Sequence, residues 1–530
     1  MSITDRIARG LESGWKVIDG ATLTASQTHE ADVVVIGTGA GGGTTAEILA
    51  KSGLSVILVE EGRLYHQKDF KMNELDAYAS LYQEGMSRVT RDGAIAILQG
   101  RCVGGSTTVN WTSSFRTPEP TLNHWASQFG LDGLTPDAMK PWFNGREERH
   151  TISPWQVDPN PNNDVLRQGC EKLGWSWQII PRNVKGCWNL GYCGVGCPTN
   201  AKQGALTTTI PGALDNNATL FHGLRADRLI MNQDRIDRLK ASAMSADGVT
   251  PSGVEVELKA KHFVVAASAI GSPGLLLRSD IPDPYERIGK RTFLHPVNAT
   301  VAEMPEAVDP YYGAPQSIYS DEFNFSRGVD GPAGYKLEVP PLHPAMSAGV
   351  VPGHGEQLKA DLTKLPRLNS VLALLRDGFH PESPGGTVSL RDDGSPVLDY
   401  PVTNYLWQGL RDAFYKMAEI QFAAGAKKVR LMHLDSPWFA TWGEARKAID
   451  EMPMEIHRTR LFTAHQMGGC GMGSNPRESV VNGFGEHHQV ANLSIHDASI
   501  FPTSIGANPQ LSVYALSARN SSRLASKLLS

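Results

Sequence analysis

The chain has 530 residues, with 50 basic and 55 acidic side chains, a net charge of −5, 41% apolar and 20% charged residues. That composition is ordinary for a globular protein large enough to need no disulfide or metal staple, and it lacks the basic excess of a nucleic-acid binder. At about 150 residues per domain the length suggests two to four domains.

The N-terminal residues, MSITDRIARGLESG, suit a short helix over Ile3 to Ser13 and contain no apolar signal core. With six cysteines in the whole chain, the compartment expected is the cytoplasm. Glycine is overrepresented, 53 residues where about 7% would be usual, and many of these glycines are gathered in a few loops.

Val33 to Ile36 is a β-branched run suited to a strand buried on both faces. It leads into Gly37-Thr-Gly39-Ala-Gly41-Gly42, a predicted helix over Thr44 to Lys51 ending at Gly53, and a second strand from Ser55 to Val59 closed by Glu60. In this strand–loop–helix–strand–acid unit, Gly37 permits the tight turn. Gly39 lets backbone approach a pyrophosphate, Gly42 lets helix and strand pack closely, and Glu60 accepts hydrogen bonds from ribose hydroxyls. A carboxylate at that point repels a 2′-phosphate, which disfavours NADP and leaves NAD and FAD open.

A second small-residue loop runs from Gly100 through Gly104, Gly105 and Ser106 to Asn110. Such loops let backbone N–H groups line a flat or anionic ligand. Three cysteines come later within eleven residues, Cys187, Cys193 and Cys197; a closed zinc site needs four ligands, and no histidine lies between them. Phe263 to Leu277 reads as a strand entering a small-residue turn and helix. Its polar and proline interruptions leave it short of the roughly 20 apolar residues of a membrane span, so no transmembrane segment is expected. Tyr311 to Phe325 concentrates aromatics, suiting either an apolar pocket or a sheet core. Further on come strand-like Gly386–Leu390 and Pro396–Tyr400 and a helical pattern from Tyr405 to Ala424. Last are the loop His465-Gln-Met-Gly-Gly-Cys470 and the segment containing Asp497 and Asn508.

Four segments together resemble the glucose–methanol–choline (GMC) oxidoreductases: the N-terminal dinucleotide unit, Gly100 to Asn110, Val264 to Leu277, and His465 to Asn520. The resemblance implies FAD rather than NAD. It also implies an α/β FAD-binding, Rossmann-like domain interleaved with an α+β substrate-binding domain. The flavin domain is expected over 28–116, 200–290 and 462–530, the substrate or cap domain over 117–199 and 291–461, so that the length makes two interleaved domains. By the same resemblance Gly104, Gly105 and Ser106 lie along the flavin, Asn110 approaches its ring, and Asp497 approaches the pyrophosphate. Some members link flavin covalently through a histidine where this chain has Val109, so non-covalent FAD is expected.

His465 matches the family's catalytic histidine and Asn508 its second hydrogen-bonding group. A histidine near its ordinary pKa of about 6.5 can take the hydroxyl proton of an alcohol while hydride leaves the carbon. Asparagine holds the alcohol oxygen without adding charge. The function expected is oxidation of an apolar or bulky alcohol, with electrons passed to oxygen, a quinone or a cytochrome. A hydroxynitrile-type lyase with non-redox FAD and an NAD-linked dehydrogenase are the alternatives. The cysteine stretch is similar to one in long-chain alcohol oxidases of the family. Sugar dehydrogenase subunits with an iron–sulfur cluster carry an extra cysteine where this chain has Trp188, so a structural role and no metal are expected.

Overall fold

A computed structural model describes residues 5–530, so Ile3 and Thr4 of the expected first helix lie outside the described residues. The rest of that helix runs Arg6–Glu12, with the Asp5 side chain accepting from Ala8 N at its start. Among the described residues no helix is long and apolar enough to cross a membrane.

One large sheet contains β1 (Lys16–Asp19), β2 (Gln27–Ile36), β3 (Val56–Glu60), β4 (Thr219–His222), β5 (Leu224–Asn232), β6 (Arg235–Met244), β7 (Pro251–Val265) and β8 (Leu493–Ile495). Their order is β1-β4-β3-β2-β7-β6-β5, with β8 also beside β7. Pairing is parallel from β1 through β7 and on to β8, while β6 and β5 fold back antiparallel. Val33, Val34 and Val35 are fully buried, as a strand covered on both faces requires.

The helix after β2 runs Ala40–Lys51 and so begins four residues before the expected Thr44. The glycine run itself is its first turn: a Cβ on Gly41 would stand 1.6 Å from His496 O, and one on Gly42 1.9 Å from Gly37 O. Only glycine lets this turn touch its neighbours so closely. β7 passes into the helix Ser268–Arg278, and the C-terminal helix Gln510–Leu529 covers the Ala40–Lys51 helix.

A second, largely antiparallel sheet takes the order Ile95–Ile97, Leu461–Thr463, Val297–Glu303, Leu368–Leu375, Tyr335–Glu338, Ile318–Ser320 and Gln178–Ile179; Lys428–Leu431 also joins Val297–Glu303. Helix Asn404–Ala423, started by the Thr403 side chain, packs on this sheet, and Thr387–Leu390 pairs with Pro396–Asp399 as a hairpin. The architecture is the expected Rossmann-like α/β unit interleaved with an α+β unit. Its strands are drawn from chain segments hundreds of residues apart.

Candidate functional site

Between the two sheets lies a cavity of about 640 Å³. At one end its wall is Gly37 to Gly41, Glu60 and Ala266 to Ser268; Gly105, Ser106, Asp497 and Ala498 line its middle. The far end is closed by Asn110, Trp111, Val297, Leu372, Leu374, Phe462, His465 and Asn508.

The glycine end is built for a ligand that presses on backbone. Gly37 has φ +103, and a Cβ there would lie 2.2 Å from Ala266 O. Gly39 differs: a Cβ would meet nothing closer than Gly105 Cα at 4.0 Å, so the space above it is cavity. Gly105, at φ +53, abuts Gly39, which brings the two glycine loops into contact. Gly104 does not line the cavity; its N–H donates to Thr38 Oγ1 at 3.0 Å and ties the loops together from behind. Ser106 Oγ accepts from Gly100 N at 3.0 Å.

Glu60 lines the cavity at the end of β3. Its Oε2 accepts from Thr38 N and Oγ1 at 3.2 and 2.6 Å, and its Oε1 from Gly62 N at 2.9 Å. Burial raises its pKa to about 7 despite these bonds. Asp497 receives Ser268 N at 2.8 Å and Ser272 Oγ at 2.5 Å on one oxygen and Ser499 N at 2.8 Å on the other. Its carboxylate thus caps the start of the Ser268–Arg278 helix, which leaves the start of the Ala40–Lys51 helix at Gly39 for a pyrophosphate. The glycine cradle, the open face of Gly39, and the acid at the strand end fit a bound dinucleotide.

At the far end, Asn110 Nδ2 donates to Gln510 Oε1 at 2.8 Å, and Gln510 in turn donates to Ser113 O, Ser114 Oγ and Asn183 Oδ1. Asn508 Nδ2 donates to Glu338 Oε2 at 3.3 Å, and its Oδ1 has no hydrogen-bond partner among the described residues. Glu338 is fully buried behind it, with its pKa raised to about 7 by desolvation against the pull of Lys336. The His465 ring lines the cavity, its Nδ1 3.0 Å from Nδ1 of the buried His295. His295 Nε2 accepts from Gly506 N at 3.2 Å.

The family models for GMC oxidoreductase match residues 78–297 and 381–517. The chain belongs to the GMC oxidoreductase family. A long-chain-alcohol oxidase of Arabidopsis thaliana, FAO4A, is 30% identical, the match covering 92% of this chain and 67% of the relative. An uncharacterised GMC-type oxidoreductase of Mycobacterium tuberculosis strain H37Rv is also 30% identical over 92% of this chain and 74% of its own. Among solved structures, formate oxidase of Aspergillus oryzae superposes with a TM-score of 0.70 at 16% identity, covering 96% of this chain and 100% of that one. Pyridoxine 4-oxidase from Mesorbium loti gives 0.67 at 18% identity, covering 93% and 98%.

Against this GMC frame, the structure brings Gly37, Gly39, Glu60, Gly105, Ser106, Asn110, Asp497, His465 and Asn508 to one cavity, with Gly42 and Gly104 supporting it from behind. It corrects the expected pKa of His465. Burial lowers its pKa to about 4 rather than leaving it near 6.5, so the ring is neutral at pH 7. The aromatic segment does not form the pocket: Tyr311, Tyr319 and Phe323 pack into three different core clusters, and Phe325 lies under Arg376. Val297, Leu372, Leu374 and Phe462 provide the apolar wall instead. His295, Glu338 and Gln510 are further polar groups at the cavity that sequence reading missed. His295 and Glu338 lie in segments with no motif of their own, and Gln510, although two residues after Asn508, shows its part only through the folded contact with Asn110. The six cysteines are all unpaired.

Proposed function

We propose that this GMC oxidoreductase is an FAD-dependent alcohol oxidoreductase acting on the CH–OH group of an apolar or bulky alcohol. The observation that carries this reading is the cavity's polarity. One end is the glycine cradle with Glu60, and the other places His465 and Asn508 against a wall of Val297, Leu372, Leu374 and Phe462. Gly39, Gly105, Ser106, Glu60, Asp497 and Asn110 would hold FAD, whose chemistry when bound is to accept the hydride. Val109 at the cavity wall supports non-covalent attachment.

The chain's own groups do the rest. Aliphatic side chains take the carbon skeleton and exclude water, while Asn508 and His465 hold the hydroxyl oxygen so that its carbon is presented in one orientation. His465, neutral at pH 7, receives the hydroxyl proton at Nε2 as C–H cleavage proceeds. That role needs the tautomer with its own hydrogen on Nδ1, donated to His295. Gly506 N–H opposes it by facing His295 Nε2, at a cost of about 1–3 kcal/mol for one hydrogen bond left unmade. The oxidase names of the relatives support oxygen as electron acceptor.

An anaerobic series of alcohols, from short to long-chain and from slim to bulky, tests the proposal through bleaching of the bound flavin's absorbance. Longer or bulkier alcohols should bleach it fastest. Cleavage of a cyanohydrin with no alcohol bleaching the flavin would favour the lyase reading, and protein purified without flavin would end the FAD reading. Oxygen uptake with the best alcohol then decides between oxygen and another acceptor.

A further inference from the structure

Two fully buried cations, Arg182 and Lys202, stand behind the far cavity wall, and among the described residues neither pairs with a carboxylate. Lys202 Nζ spends its three hydrogens on three carbonyls, those of Thr108 at 2.8 Å, Asn110 at 2.6 Å and Cys193 at 2.7 Å. Arg182 donates to Thr112 Oγ1 at 2.8 Å, to Trp111 O at 3.3 Å and to Cys193 Sγ at 3.7 Å, its guanidinium lies over the Trp155 ring at 4.8 Å, and its Nη1 has no hydrogen-bond partner among the described residues. Together they grip every residue of the loop from Thr108 to Thr112 except Val109, and both touch Cys193. Asn110 and Trp111 of that loop form cavity wall on the other side. The cysteine-rich loop thus brings the Cys193 carbonyl to the lysine. Tyr82 Oη donates to Gly194 O at 2.6 Å and anchors the next residue.

Burial lowers the Lys202 pKa to about 8, so at pH 7 the ammonium is still mostly charged; its hydrogen-bond partners are carbonyls, and in a low-dielectric interior that charge acts over several ångströms. We propose that Lys202, backed by Arg182, is a positioning residue that clamps the Thr108–Thr112 loop and places positive charge behind the wall that would face the flavin ring, favouring the reduced, more electron-rich cofactor. The inference rests on the FAD reading of the cavity. Charge near the ring is one of the means by which a protein tunes a flavin.

The test is the flavin midpoint potential, measured anaerobically against reference dyes in the holoenzyme and in two variants. Lys202→Gln keeps amide donors for the carbonyls and removes the charge. Cys193→Asp keeps the lysine and the Cys193 carbonyl position while adding a carboxylate between the two cations. In each FAD-loaded variant the equilibrium constant for two-electron reduction should fall at least tenfold, a drop of about 30 mV, and Lys202→Arg should recover most of it. A wild-type potential in whichever of the two variants retains FAD overturns the proposal, even with slowed turnover, since a purely structural lysine would alter stability without moving the potential. Wild-type protein that binds no FAD would instead remove the reading on which it rests.

Discussion

The Nδ1 atoms of His295 and His465 lie 3.0 Å apart, so the two rings share a single hydrogen. Gly506 N–H directed at His295 Nε2 favours that hydrogen on His295 at rest, whereas proton uptake at His465 Nε2 needs it on His465 Nδ1. The pair is therefore a two-register device whose balance His295 controls. His465→Ala should keep FAD and slow flavin reduction by roughly 10²–10⁴. His295→Ala, which frees the ring it orients, should slow it by about 10². Stopped-flow reduction of the double variant should be no slower than His465→Ala alone, because the two act as one unit; additive losses would separate them.

The acid limb of the pH profile is set by burial. His465 accepts a proton only when neutral, and its pKa is depressed to about 4. The rate of flavin reduction attributable to this group should hold from pH 8 down to about 5 and fall through pH 4. A limb centred near 6.5 would mean that the substrate-bound site is wetter than the cavity suggests.

Glu338 titrates in the opposite sense. Its folded pKa is raised to about 7, above the ordinary 4.5, so its contribution to stability is fully present below pH 4.5 and is lost as pH rises through 7. Glu338→Gln should therefore raise the melting temperature at pH 8 and leave it nearly unchanged at pH 4. The gain corresponds to about 3 kcal/mol at most, since each pKa unit is about 1.36 kcal/mol and the pKa of about 7 already includes the pull of Lys336. Equal melting shifts at both pH values would exclude this origin.

Two neighbouring glycines separate fold from ligand. Gly41→Ala drives a methyl to 1.6 Å from His496 O and should destabilise the protein by several kcal/mol, of the order found for overpacked cores. Gly39→Ala meets no protein atom inside 4.0 Å, so its apoprotein should melt like wild type while its FAD content falls. Normal flavin content in Gly39→Ala would remove that residue from the phosphate cradle.

Substrate size is set by the aliphatic wall. Leu374→Trp adds volume where Leu374 lines the cavity and should lower kcat/KM for long or bulky alcohols at least tenfold more than for short ones. A uniform loss across the series would point to disturbed flavin geometry instead of a lost pocket.

The dinucleotide unit was legible because its logic is local: a buried strand, glycines that backbone contacts demand, and an acid at the next strand end all fall within thirty-odd residues. His465, Asn508 and Asp497 were legible through the resemblance. The surrounding polar frame was not. His295 reaches His465 across 170 residues, Glu338 reaches Asn508 across 170, and Gln510 reaches Asn110 across 400. No periodicity or spacing encodes such meetings, which exist only once both sheets are assembled. The pKa of His465 is out of reach of the sequence for the same reason, since it depends on enclosure by segments far away in the chain. The helix start at Ala40 was missed because propensity penalises glycine in a helix, whereas here tertiary contact selects it.

The interleaving also governs how the molecule comes into being. β8 lies against β7, and the final helix covers the Ala40–Lys51 helix, so the nucleotide-binding half cannot close until residues 493–529 have been synthesised. Strands β1 to β3 thus wait for partners that follow much later in the chain, with apolar surface open to chaperones and to aggregation meanwhile. Loss of the Gln510–Leu529 helix would leave the Ala40–Lys51 helix without its cover.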